Sequence, residues 1–165
     1  MSLDDAHFVM PPSTSDTLAG SPVSDFVGTD VPTDTVSFKK YNTAYFLIFQ
    51  GVGTAGTHII TAIPYDSVGG TATTAIPYQY KTVSSTDTNT AWAWATSNTM
   101  TTTAGSDQIW VIKVSADDLP LVSGVKYEYC SVLITASDST AVLGGCIIIM
   151  DEPRYAQDTS ETVIT

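Results

Sequence analysis

Gln108-Ile-Trp-Val-Ile-Lys-Val114, followed by Ser115-Ala-Asp-Asp-Leu-Pro120, decides the fold. Ile109 and Val111 fall on one side of an extended backbone and Trp110 and Ile112 on the other, because side chains alternate along a strand. A short apolar run bounded by turn residues reads as a β-strand. Ser115 then caps one helical turn, with Asp117 and Asp118 in its first turn where carboxylates meet unpaired amide N–H groups. Pro120 keeps that turn short.

Working outward, the same β-type runs recur from Thr35 onward. They are Thr35–Lys40, Thr43–Gln50, Thr57–Tyr65, Ala72–Thr82, Ala91–Ala95, Gln108–Val114, Lys126–Ala136 and Ala141–Met150. The first two are either separate or one strand bent near Tyr41-Asn42. Ser97–Ser106 reads as a Thr-rich loop, and the last two runs as a closing hairpin across Ser137–Thr140. Ile63-Pro64-Tyr65 and Ile76-Pro77-Tyr78 each place a proline where an edge or a bulge is expected. No segment keeps helical periodicity. The expected class is all-β: an antiparallel β-sandwich or barrel-like domain of about eight short strands, with an extended N-terminal arm.

That arm is residues 1–34. It carries Pro11-Pro12, Gly20, Pro22, Gly28 and Pro32, six acidic residues, and no Lys or Arg. A Pro-rich polar tether cannot build its own core and orders by docking. Its apolar points are Phe8, Val9, Met10, Phe26 and Val27, the expected interaction anchors. The β domain is expected over residues 35–156, with a tail at 157–165. Removing residues 1–34 is expected to leave a folded domain that docks poorly.

The formal net charge is −11, and Ser and Thr make up roughly a quarter of the 165 residues. Six scattered Lys and Arg give no phosphate-binding patch, so nucleic acid is not an expected partner. The acidic excess would keep free subunits soluble and steer them towards a basic surface. No apolar run reaches membrane-spanning length, and residues 1–20 lack the layout of a secretory signal. The expected origin is the cytosol, with both thiols reduced.

No local motif frames a nucleophile, and His7 and His58 sit in no catalytic context, so the chain reads as a non-enzyme. Cys130 and Cys146 have no metal-ligand spacing, and a closing hairpin centred on Asp138 would set them opposite each other. Two small buried core side chains is the expected reading, with a cross-strand disulfide as the alternative. Asp117-Asp118 lacks calcium-loop spacing. Gly51-Val-Gly-Thr-Ala-Gly56 matches the dinucleotide fingerprint by letter. However, Thr57–Ile63 after it is β-type where the fingerprint needs a helix, so a hairpin turn is expected. No catalytic, cofactor or metal residues are assigned. Trp92 and Trp94 share one strand face; both are expected to pack in the core, with sugar stacking as the alternative.

Tyr45-Phe-Leu-Ile-Phe-Gln-Gly-Val-Gly53, then Trp110-Val-Ile-Lys-Val-Ser-Ala-Asp-Asp-Leu119, Tyr127-Glu-Tyr129 and Glu152-Pro-Arg-Tyr155 form an ordered pattern over about residues 43–156. It resembles tailed-bacteriophage virion structural proteins of the capsid decoration (cement) kind. The resemblance implies a β-rich domain made in the host cytoplasm and carried on the outer capsid surface. It implies the major capsid protein and neighbouring copies of the chain, as a homo-oligomer, as partners. Arg154, the only arginine, is expected either to bond a carboxylate at such an interface or to pair with Asp151 or Glu152. The alternative function is a β-sandwich binding module of a tail fibre or a carbohydrate-binding protein.

Overall fold

The computed structural model describes residues 7–9, 23–25, 30–53, 56–84, 88–104, 107–136 and 142–154. In chain order the strands are β1 (His7–Val9), β2 (Val23–Asp25), β3 (Val31–Pro32), β4 (Val36–Ser37), β5 (Tyr41–Gly53), β6 (His58–Tyr65) and β7 (Gln79–Val83). They continue as β8 (Ala93–Trp94), β9 (Thr99–Thr101), β10 (Gln108–Ser115), β11 (Leu121–Val122), β12 (Val125–Lys126), β13 (Tyr129–Ala136) and β14 (Val142–Pro153). The all-β, antiparallel expectation holds, with more strands than expected and with β5 and β14, at 13 and 12 residues, longer than the short runs read from sequence.

Two sheets enclose the core. The larger has the order β1-β14-β5-β10-β7-β8, with β2 also on β14. The smaller has the order β3-β13-β6-β9, with β4 also on β13. Alternation sends Phe46, Ile48, Trp110, Ile112, Val114 and Ile148 inward from the larger sheet. Ile60, Ala62, Cys130, Val132 and Ile134 meet them from the smaller one. Each large side chain buried this way stabilises the fold by about 1.5–3 kcal/mol before entropy is counted. Tyr78 joins this core because its hydroxyl donates to the Ile60 carbonyl at 2.7 Å.

Three local expectations are corrected. β13 and β14 lie in different sheets, so they are not a hairpin and Cys130 and Cys146 are not cross-strand neighbours. The same holds for β5 and β6: the glycine-rich segment between them carries the chain from one sheet to the other. The Thr-rich stretch contains β9, whose Met100 is buried against the core. Ser115 caps a 3₁₀ turn at Ala116–Asp118, as expected, its Oγ accepting the Asp117 N–H at 3.3 Å. A small hairpin of β11 and β12 follows, turned by Ser123 and Gly124 at φ 50° and 81°, the second of which suits glycine.

Part of the arm belongs to the sandwich. β1 and β2 pair in succession along the outer edge of β14, with Phe8 opposite Ile149, Val9 opposite Ile148 and Val23 opposite Gly145. β3 and β4 do the same on β13. On that side of the sandwich the long edges of β14 and β13 are thereby covered in part, leaving only two- and three-residue strands outermost, which shortens the open backbone edges that invite aggregation. Residues 30–34 are integral to the smaller sheet, because the Thr33 N–H donates to the Val132 carbonyl at 2.8 Å and the Val132 N–H to Thr33 Oγ1 at 2.9 Å. Thr33→Val keeps the shape but leaves the buried Val132 N–H without its acceptor. It is expected to cost about 1–3 kcal/mol in urea unfolding; an unchanged midpoint would show that this link is dispensable. Met10, Phe26, Val27, Ser137–Thr140 and the 157–165 tail lie outside the described residues.

Candidate functional site

The chain carries groups of unburied apolar residues in two places among the described residues: Leu121, Val122 and Val125 on the small β11–β12 hairpin, and the broader outer face of the larger sheet. Residues directly opposite in an antiparallel ladder share a face, so the register gives the surface row by row. Ile147, Leu47, Val111 and Lys81 form one row across β14, β5, β10 and β7. Gly145, Phe49, Ile109 and Val83 form the next. The third runs Ile149, Tyr45, Lys113, Gln79 and Trp94, reaching β8. By backbone register Phe8 extends the third row and Val23 the second, so the arm strands widen this sheet. Ile109 is 39% exposed and Ile147 36%, and Leu47, Phe49 and Val111 beside them are half-buried. Contiguous apolar surface on a strand face with a complete core behind it marks an interaction site.

Trp92 and Trp94 complete this face, and here the sequence expectation is overturned. Neither packs in the core: Trp92 is 39% exposed and Trp94 56%. Register explains it. Ala93 stands opposite Tyr80 and Trp94 opposite Gln79, which places the alanine with the inward residues and the tryptophan with the outward ones. The Trp92 ring lies 6.3 Å from the Tyr45 ring at 44°, and the Lys81 ammonium sits 4.9 Å from its centroid. These contacts hold the indole on the sheet surface. Beside Trp94 a depression of about 260 Å³ is lined by Gln79, Lys113, Ser115, Asp117 and Asp118. Burial pushes the Asp118 carboxyl above its ordinary range, while the Ser115 N–H and Lys113 pull it back.

Charge divides the face from the rest of the molecule. Lys81 and Lys113 are two of only six basic residues in a chain of net charge −11, and both sit among the apolar rows. Asp151, at the end of the face beyond Ile149, is buried. The centre of the face is thus apolar to mildly positive on an otherwise acidic molecule.

The remaining candidates sit elsewhere. Arg154 is exposed at the end of β14, where its Nε donates to Asn42 Oδ1 at 2.8 Å and its N–H to the Lys40 carbonyl. The expected partner Glu152 instead accepts from Thr43 Oγ1 at 2.7 Å. His58 is buried in the smaller sheet, with its backbone bonded to Thr102. Among the described residues no three His, Cys, Asp or Glu side chains are grouped to hold a metal. An opening of about 320 Å³ lies between β8 and β9, over Trp110 and Met100 and rimmed by Tyr80, Thr82, Thr90 and Thr101.

Cys130 and Cys146 are both free and buried. Burial pushes both thiols well above their ordinary range, so little nucleophilic thiolate forms at neutral pH. Neither is expected to react with iodoacetamide in the native protein within hours, and both should react once urea unfolds it. Rapid native labelling, read by intact mass, would contradict the burial.

No protein-family model, curated protein or solved structure matches this chain.

Proposed function

We propose that this chain is a virion structural protein, a capsid decoration protein that binds the outer surface of a phage head and stabilises the shell. One observation carries the reading: the broad, half-exposed apolar face on the larger sheet, centred on Ile109, Val111, Leu47 and Ile147. A rigid strand face presents these side chains in fixed rows, so docking costs little ordering entropy. Repulsion between acidic copies disfavours free aggregation, and Lys81 and Lys113 leave the face itself able to approach acidic or neutral surface. Each contact is weak alone. On a lattice the contacts of one bound chain reinforce one another through effective concentration, and a ligand that binds only the assembled shell stabilises it by mass action.

The arm takes a changed place in this account. Its backbone closes the edges of β14 and β13 within the same chain, so residues 1–34 cannot be removed without stripping β1, β2 and β3. Its contribution to contacts with neighbouring copies, through Met10, Phe26 and Val27, remains part of the proposal. The test is cosedimentation of the purified full chain with heads that lack it. Saturable binding at a stoichiometry set by the lattice is expected, and failure to cosediment would overturn the reading. A carbohydrate-binding module is the second reading, favoured by the exposure of Trp92 and Trp94.

A further inference from the structure

We infer that the Trp94 end of the outer face is a glycan-binding site, taking an uncharged pyranose unit in the depression formed by Trp94, Gln79, Lys113, Ser115, Asp117 and Asp118. The inference deepens the second reading and is independent of shell binding.

The chemistry of the lining selects the ligand class. Asp117 and Asp118 disfavour an anion, and Lys113 sets a donor beside those acceptors within one depression. The matching group both donates and accepts hydrogen bonds. Gln79 offers an amide with both capacities. Lys113 donates and the two carboxylates accept. Ser115 Oγ already accepts the Asp117 N–H and keeps its own proton to give. Vicinal hydroxyls on a sugar ring present both kinds of partner on each carbon. The apolar C–H face of a pyranose needs an aromatic wall, and Trp94 supplies one with more than half its surface open to solvent. The volume of about 260 Å³ lies just below that of drug-sized ligand sites, which fits a single sugar residue rather than a larger ligand.

Preorganisation supports the same assignment. Lys113 and Gln79 project from adjacent strands in register, and Ser115 to Asp118 are fixed by the capped 3₁₀ turn. Trp92, held by Tyr45 and Lys81 on the same face, provides a second aromatic surface for a neighbouring sugar of a chain. Ordering costs on binding are therefore confined to the ligand.

The experiment is a printed array of microbial and plant glycans probed with the full chain, followed by titration of the best glycan with tryptophan emission as readout. Wild type is expected to bind, Trp94→Ala to lose at least about tenfold in affinity, and Asp117→Asn with Asp118→Asn to weaken binding similarly. Trp94→Tyr, which keeps a stacking surface, should recover most of the loss. The melting curve of Trp94→Ala should match wild type, since Trp94 is exposed. No binding to any glycan overturns the inference, as does binding that Trp94→Ala leaves unchanged. Head cosedimentation of Trp94→Ala, and glycan binding by a chain altered at Ile109 and Ile147, separate this failure from that of the shell reading.

Discussion

Aspartate at both Ile109 and Ile147 is expected to abolish attachment to heads, lowering affinity by at least about 100-fold, while the chain stays folded. Both side chains are more than a third exposed on the outer face, so the free protein loses little packing. In the bound state the exposed third of each isoleucine would also be buried, which is worth roughly a third of the about 1.5–3 kcal/mol of full burial. The substitution forfeits that and puts two unpaired carboxylates into a dry contact, which costs more. Since about 1.4 kcal/mol is tenfold in affinity, the carboxylates carry most of the 100-fold loss. Val68→Asp, at an exposed loop residue outside the strand rows, is the control expected to bind as wild type. Undiminished cosedimentation of the double variant would remove this face from the docking mechanism.

Trp110→Ala is expected to destabilise the domain by about 3–5 kcal/mol, the usual cost of emptying a core aromatic site. Trp110 is 2% exposed and sits on β10 between β5 and β7, at the middle of the larger sheet. Small domains hold only about 5–15 kcal/mol in total, so this variant will unfold near room temperature or require a far lower urea midpoint. Trp94→Ala, by contrast, should move the midpoint by less than about 1 kcal/mol. Acrylamide should quench the emission of Trp92 and Trp94 readily and that of Trp110 poorly, as read in single-tryptophan variants. Equal destabilisation by the two alanine substitutions would mean that the sheet faces are assigned the wrong way round.

Much of the strand content was legible from local pattern. The runs at 43–50, 57–65 and 108–114 alternate or stay apolar over strand length, and Ser115 announces the turn after β10 by its capping chemistry. What local pattern does not carry is sheet membership. A Gly-rich stretch such as 51–56 serves a hairpin or a crossing between sheets equally well, and only long-range pairing of β5 with β14 and of β6 with β13 decides it. β9 was hidden because Met100 is its one apolar residue among threonines. The docking face was half legible. Ile109 and Val111 were placed on one side of β10 and Trp110 on the other, but period-two spacing cannot say which side is solvent. The same ambiguity sent Trp92 and Trp94 to the core, where burial of large aromatics is the ordinary expectation. The small Ala93, on the Tyr80 side of β8, was the available signal. The arm misled for a different reason. Its composition reads as a tether, whereas three-residue segments of it pair with β14 through the backbone, which composition does not report.

Decoration of a shell lattice fixes the copy number of this chain relative to the major capsid protein in purified particles, which quantitative mass spectrometry measures. The expected ratio is near one, or a fixed large fraction of it, as lattice sites require. A handful of copies per particle would place the chain on a tail, collar or fibre, and its absence from particles would contradict the virion reading altogether.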